Sequence, residues 1–299
     1  MRFGFWPMPG TPWAEALALS RHAEAIGFDG IWYADHFMPM EGDLSKPINE
    51  SWTALAALAA SVPRVRLGHL VNGNTYRNPA ILAKMAAGID IISDGRFVLG
   101  MGAGWQQNEH ALYGIHFGTL GERLRRLEEA LSVIRQLLRT DAANLDGKFY
   151  QIQDAPLFPK PVQERLPIMI GAAGEKVALR IVAEYADEWN AWGLPGLIDH
   201  KSRVLDTHCN RIRRDPASIR RTGVALVIMA KDQALRDSIA GNGRPQFTGS
   251  PDEIQAVIGG YAENGVDEFI MPDWPLGTSL EEKTESMSLF ITEIAAPFH

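Results

Sequence analysis

The feature that most constrains this chain is an alternation repeated along it: a short apolar run, then an amphipathic stretch. The runs at 2–6, 30–33, 65–71, 97–101, 168–171, 188–192, 223–230 and 268–271 read as strands. The stretches at 13–26, 51–61, 79–93, 120–139, 175–185, 197–213, 252–264 and 280–295 read as helices. The clearest is 120–139, where Leu124, Leu127, Leu131, Ile134 and Leu138 recur at helical spacing. Gly27 stops the first helix and Pro79 starts the third, both in favoured places. Strands that alternate with helices pair in parallel, through right-handed crossovers. Eight such units predict an α/β chain folded as a (β/α)8 TIM barrel with loop insertions; a doubly wound sheet is the alternative. Such barrels take about 250 residues. The 299 residues therefore read as a single barrel domain over 1–299, with insertions near 141–166 and 241–251.

Composition removes several classes of function. A net charge of −7 argues against nucleic acid as a partner. The basic clusters around Arg125 and Arg213 alternate with acidic residues and read as solvated helix faces. No apolar stretch reaches the length of a membrane helix, and residues 1–7, broken by Pro7, do not read as a signal peptide. The only cysteine, Cys209, fits a buried thiol in a reducing compartment, so a cytoplasmic location is expected.

In a barrel the chemistry lies where strands end and the following loops begin. The second strand delivers Asp35 and His36, a carboxylate and a base. The third delivers Asn72, Gly73 and Asn74, which can hydrogen-bond a heteroaromatic ring; His69 fits the barrel interior. The fourth ends in Gly100, Gly102 and Gly104, followed by Trp105, Asn108, Glu109 and His110. Their spacing fails the dinucleotide fingerprint and suggests a tight turn approaching a ligand. Glu109 and His110 lack a third ligand at metal-binding spacing, so no metal is expected. The fifth strand leads through Gly171, Ala172, Ala173, Gly174, Glu175 and Lys176 into a helix start, a place for a phosphate without the Walker pattern. No nucleophile elbow appears. These features together suggest a barrel that borrows its chemistry from an organic cofactor.

The chain resembles the bacterial luciferase-like monooxygenase superfamily, in particular its coenzyme F420 (deazaflavin)-dependent branch. The resemblance runs from Met1 to about Met271 and is most specific from Arg77 to Phe117. It rests there on Ala83-Lys84-Met85-Ala86, on Asp90-Ile91-Ile92-Ser93-Asp94-Gly95-Arg96 and on Leu99-Gly100-Met101-Gly102-Ala103-Gly104-Trp105. Glu109-His110, Gly147-Lys148-Phe149-Tyr150 and Pro159-Lys160-Pro161 also fit. It implies that Asp35 and His36 lie near the deazaflavin ring. It implies a cis peptide at Leu70-Val71 bulging against that ring, and a cofactor contact by Asn108. It places the phosphate at residues 171–176, and Trp189 and Asn190 near cofactor or substrate. The sequence departs from the family's sugar-phosphate dehydrogenases at Trp105, where they carry a proton-donating glutamate, and at Met40, where they carry a tryptophan.

The expected activity is hydride transfer between F420 and a small organic substrate stacked among Trp6, Trp105 and Trp192, with His36 or Glu109 handling the proton. One alternative is a two-component monooxygenase using FMN reduced by a separate reductase, together with oxygen. Another is a binding protein that keeps the barrel without turnover. Family habit implies a homodimer.

Overall fold

The computed structural model describes residues 1–240 and 243–299. Eight parallel strands close into a barrel. In chain order they are Arg2–Trp6, Gly30–Tyr33, Arg66–His69, Phe97–Gly102, Ile168–Gly171, Glu188–Trp192, Arg220–Val224 and Glu268–Pro272. The eighth pairs with the first at Arg2 and Glu268, and the third with the fourth at Leu67 and Phe97. That closure settles the barrel against the doubly wound sheet, which would leave two open edges.

Alternation along each strand divides the apolar residues. Trp32, Val98, Met169, Val224 and Ile270 fill the barrel interior. Ile31, Tyr33, Phe97, Ile168 and Phe269 point outward into the layer beneath the helices. Caps fix the helix starts near the mouth. Glu50 accepts from the backbone N–H groups of Trp52 and Thr53 at the head of Ser51–Ser61. Asn78 accepts from Ala80 N–H at the head of Pro79–Ile92.

Several elements differ from the sequence reading. The third strand ends at His69, not residue 71; the chain bends through Leu70 and Val71 and pairs again at Asn72–Gly73. The seventh strand begins at Arg220, ahead of the expected 223. Its two arginines look like surface residues, yet Arg221 is buried against Asp206. The expected end of that strand, Leu226–Val227, instead pairs with Gln246–Phe247 in a separate two-stranded sheet. The helix expected from 175 begins at Ala178, so residues 175–177 form a turn. Residues 107–113 are helical rather than loop, because the helix buries Glu109 and His110 and so carries no apolar signature. The insertion near 141–166 contains the antiparallel hairpin Ala142–Asp146 and Gln151–Pro156, whose mostly exposed residues hide its period. A short helix, Gln233–Ala240, precedes the second insertion, of which Gly241 and Asn242 lie outside the described residues. The last helix runs Leu280–Leu289 and continues as a π-helical turn over Phe290–Ala295.

Candidate active site

A cavity of about 1030 Å³ opens at the carboxyl ends of the strands. Its two sides are built differently. On the side of the third to fifth strands the walls are small: Gly73, Gly102, Ala103, Gly104, Gly171, Ala172 and Ala173. Here the Leu70–Val71 peptide is cis, as the family resemblance implies. The glycines of the fourth strand are required by this bend. A Cβ on Gly100 would lie 1.8 Å from the carbonyl oxygen of His69, and one on Gly102 would lie 2.7 Å from the Val71 side chain. Their close neighbour is thus the protein's own third-strand segment, and Gly102 and Gly104 line the cavity as well. On the other side, at the first, sixth and eighth strands, the walls are Trp6, Met8, Trp192, Trp274 and Arg244.

Two polar clusters stand behind the cavity. In the first, Asp35 is buried and binds Arg77 at 2.7 and 3.1 Å, Ser51 Oγ at 2.6 Å and Gly73 N–H at 3.2 Å. Arg77 also reaches Glu50 and the Asn72 side-chain oxygen, which accepts from the Trp52 indole N–H. The helix cap at Glu50 and the floor of the cavity are therefore one network. In the second, Glu109 is fully buried. It accepts from the backbone N–H groups of Phe37 and Met38, from the Tyr76 hydroxyl, and from His36 Nδ1 at 3.2 Å. Burial pushes the Glu109 carboxyl up, but the hydrogen bonds from His36 and Tyr76 outweigh it and hold the carboxyl below the usual range. The Tyr76 hydroxyl is pushed far up, by burial first and by Glu109 next. Glu109 is thus an ionised acceptor, which assigns the imidazole proton to Nδ1.

His36 lines the cavity, with its ring edge-on to Trp105 at 5.3 Å. Glu109 does not line the cavity; it holds His36 from behind. Asp35, Leu70, Val71, Asn72, Gly171, Ala172, Ala173, Trp6, Trp105 and Trp192 also line it. The remaining candidates, Asn190 excepted, lie off the cavity. Asn108 donates to the carbonyls of Pro39 and Met40 and so braces the loop after the second strand. Asn74 is buried and donates to the Tyr150 hydroxyl at 3.5 Å. Glu175 pairs with Lys201 and His200, and Lys176 is exposed. Trp189 is buried and donates its indole N–H to the carbonyl of Ala172, holding the small-residue wall in place. Asn190 lines the cavity and donates to Thr222 Oγ1. His69 is buried against Trp52 at 4.3 Å, and burial lowers its pKa to about 4. Neither of its ring nitrogens has a partner among the described residues.

Sequence reasoning missed Tyr76, Trp274 and Arg244. Tyr76 stands one residue from Arg77 in the loop already singled out, and the buried carboxylate it serves was its only signal. Trp274 follows the last strand on a short turn, where the strand-end rule could have found it.

A closed (β/α)8 barrel with one large cavity at its strand ends, walled by small residues on one side, defines the class of barrel proteins that bind a ligand at the strand ends. The luciferase-like monooxygenase family model matches residues 1–269, and the chain belongs to that family. An F420-dependent glucose-6-phosphate dehydrogenase of Amycolatopsis mediterranei (strain U-32) is 36% identical over 167 residues, 55% of this chain and 47% of that protein. The chain thus spans about half the length of the curated relatives it matches. Among solved structures, an F420-dependent secondary alcohol dehydrogenase in complex with an F420-acetone adduct superposes with a TM-score of 0.86. That match has 18% identity and covers 99% of this chain and 98% of the other. The coenzyme F420-dependent tetrahydromethanopterin reductase of Methanopyrus kandleri gives 0.82 at 18% identity, over 100% of this chain and 99% of the other. At that identity these two likenesses speak for the fold.

Proposed function

We propose that this chain, one barrel domain over 1–299, is an F420-dependent oxidoreductase acting on a small organic substrate. The observation that carries the reading is one cavity lined both by the small-residue wall and by His36, with Glu109 fixed behind the imidazole. The F420-dependent relatives that share its sequence support the choice of cofactor.

The residues present fit a flat ring system. The wall at Gly102, Ala103, Gly171, Ala172 and Ala173 admits close approach, and Leu70 and Val71 offer an apolar face. Asn72 and Gly73 line the cavity too, but their polar groups are engaged by Trp52, Arg77 and Asp35, so they would shape the ring's place rather than bond to it. Of the stretch 171–176, Gly171, Ala172 and Ala173 line the cavity; the Ala172 N–H is given to the Asn190 carbonyl, so a phosphate contact would fall to the backbone beside it. When bound, the deazaflavin supplies or accepts a hydride. His36 handles the accompanying proton at Nε2: neutral, it takes one from a substrate hydroxyl; protonated, it delivers one to a carbonyl oxygen or a carbanionic carbon. Glu109 keeps the ring in register through both states. Trp105 supplies no acid, and its exposed ring closes the mouth beside His36.

The test is equilibrium binding of oxidised and reduced F420 and FMN to the purified protein. Micromolar F420 binding with weaker FMN binding is expected. Tight FMN binding without F420 binding would overturn the reading in favour of the reductase-dependent monooxygenase, which oxygen uptake with free reduced FMN would then check.

The working form in this reading is a cytoplasmic homodimer. The helix Pro79–Ile92 buries Leu82, Ala86 and Ile89 against the barrel layer, yet its outer face also shows Ile81, Ile91 and Ile92. A helix apolar on both faces is ordinarily covered. Sedimentation of the Ile81→Glu, Ile92→Glu double variant is expected to give a monomer where the parent gives a dimer. The buried thiol of Cys209 is compatible with a reducing compartment, and no helix among the described residues is long and apolar enough to cross a membrane.

A further inference from the structure

One carboxylate oxygen behind the cavity receives two donors of different kinds. Glu109 Oε1 accepts from the backbone N–H groups of Phe37 and Met38. Glu109 Oε2 accepts from His36 Nδ1 at 3.2 Å and from the Tyr76 hydroxyl. Together these donors fill the acceptor sites of an ionised carboxylate. Packing sets the tyrosine in place. Its ring meets Phe37 edge-on at 4.8 Å and lies tilted on His110 at 4.9 Å. It also lies against Gly73, where a Cβ would come within 2.5 Å of it. We propose that Tyr76 is a positioning residue: by sharing Oε2 it limits the hold of Glu109 on the protonated imidazole, and so keeps His36 able both to take and to release a proton. This rests on the reading of His36 as the proton carrier.

The two donors differ in what they do as pH changes. Tyr76 keeps its proton, because burial first and Glu109 next push its hydroxyl far up, so it donates to Oε2 throughout. His36 donates through Nδ1 whether neutral or protonated, but only the protonated ring brings a charge to the pair. A hydroxyl donating to a carboxylate makes a charge-assisted bond, and the negative charge it draws is less available to the imidazolium. Without that hydroxyl the same oxygen would bind the charged ring more tightly and hold its proton to higher pH. The other polar groups around the ring leave this balance to Glu109. Asp35, the residue before it, is bound to Arg77, which also holds Glu50. His110, next to Glu109, turns to Thr75 Oγ1 and the Gln106 carbonyl. Trp105, edge-on to the imidazole, does not titrate, and Lys46 on the cavity lining is exposed.

Titration of the histidine Cε1–H resonances by NMR tests this on the purified full-length chain, the His36 signal being assigned from its absence in His36→Asn. In Tyr76→Phe, which keeps the ring packing, the His36 midpoint is expected to rise by about one pH unit, about a tenfold tighter hold on the proton. F420 affinity is expected to change by less than about twofold. A 3-fluorotyrosine in place of Tyr76 carries a more acidic hydroxyl, a stronger donor, and should move the midpoint down. That second variant answers the question even where Tyr76→Phe fails to fold. An unchanged or lower midpoint in Tyr76→Phe overturns the proposal, because the hydroxyl then does no more than pack. So does an upward shift with the fluorinated ring. A loss of F420 affinity beyond about tenfold in Tyr76→Phe also overturns it, because Tyr76 then serves the cofactor. The titration needs neither cofactor nor turnover, so FMN binding without F420 binding would sink the cofactor reading and leave this coupling in place. A kcat profile that ignores the shifted midpoint would sink His36 as proton carrier and overturn the role proposed for Tyr76.

Discussion

At the closed end of the barrel Glu268 and Glu188 share one arginine, whereas at the mouth Glu109 shares a histidine and a tyrosine. Arg66 crosses the floor to Glu268 at 2.8 Å and to Glu188, and Trp32 donates its indole N–H to Glu268 at 2.7 Å. Burial pushes the Glu268 carboxyl up, while the donors around Glu109 bring its carboxyl down. Both glutamates are fully buried, so burial alone does not decide their behaviour. The partner set does. At the floor the partners are fixed cations and an indole facing inward, and the result is a brace. At the mouth one partner is itself titratable and faces a cavity, and the result is an imidazole held in one orientation at the cavity wall.

The largest effect is expected from breaking the brace. Glu268→Ala leaves Arg66 with one carboxylate fewer and strands the Trp32 indole, which should cost about 3–5 kcal/mol in urea unfolding. F420 affinity measured under folding conditions should change by less than about twofold; a parallel collapse would show that the two ends are not separable. Next comes acid sensitivity from His69. The unfolded chain protonates it near 6.5, whereas in the fold it stays neutral down to about 4. The unfolded state therefore binds more protons in that window, and stability falls as pH drops through it, by about 3 kcal/mol in all. The difference in urea midpoint between the parent and His69→Phe should be constant above pH 7 and then shift in the variant's favour towards pH 4.

Smaller effects separate the two members of the mouth pair. His36→Ala should lower kcat by about a hundredfold with stability changed by less than about 1 kcal/mol. Glu109→Gln keeps a hydrogen-bond acceptor but removes the charge that fixes the imidazole proton on Nδ1. It should lower kcat about tenfold with KM changed by less than about twofold, and alter the pH profile of kcat. An equal loss in KM would mean that Glu109 touches substrate, against its place behind the ring.

Most of the barrel could be read from sequence because each strand's alternation and each helix's stripe are local. The bend at Leu70 and Val71 was carried by family resemblance, not by pattern. His36, Asp35 and the small residues after the fifth strand were found because strand ends are a positional rule. What escaped depends on distant partners. Glu109 looked like a second candidate base, and only the fold shows that it serves His36, 73 residues away. Arg244 sits in a Gly- and Pro-rich loop, where nothing local says that it lies over Trp192. Lys176 looked like a phosphate ligand because the helix was expected to start three residues too early.

The floor brace also bears on how the chain is made. Arg66 finds its carboxylates 122 and 202 residues further along. A ribosome therefore releases the arginine long before it releases either partner, and a nascent chain holding only the first half has an unanswered cation at its centre. Glu188 reaches that charge with the sixth strand, and the brace is complete only when the eighth strand, which also closes the ring, brings Glu268. Two separately expressed halves, cut in the exposed hairpin insertion, should accordingly find each other in the same cell, since each carries what the other's floor lacks.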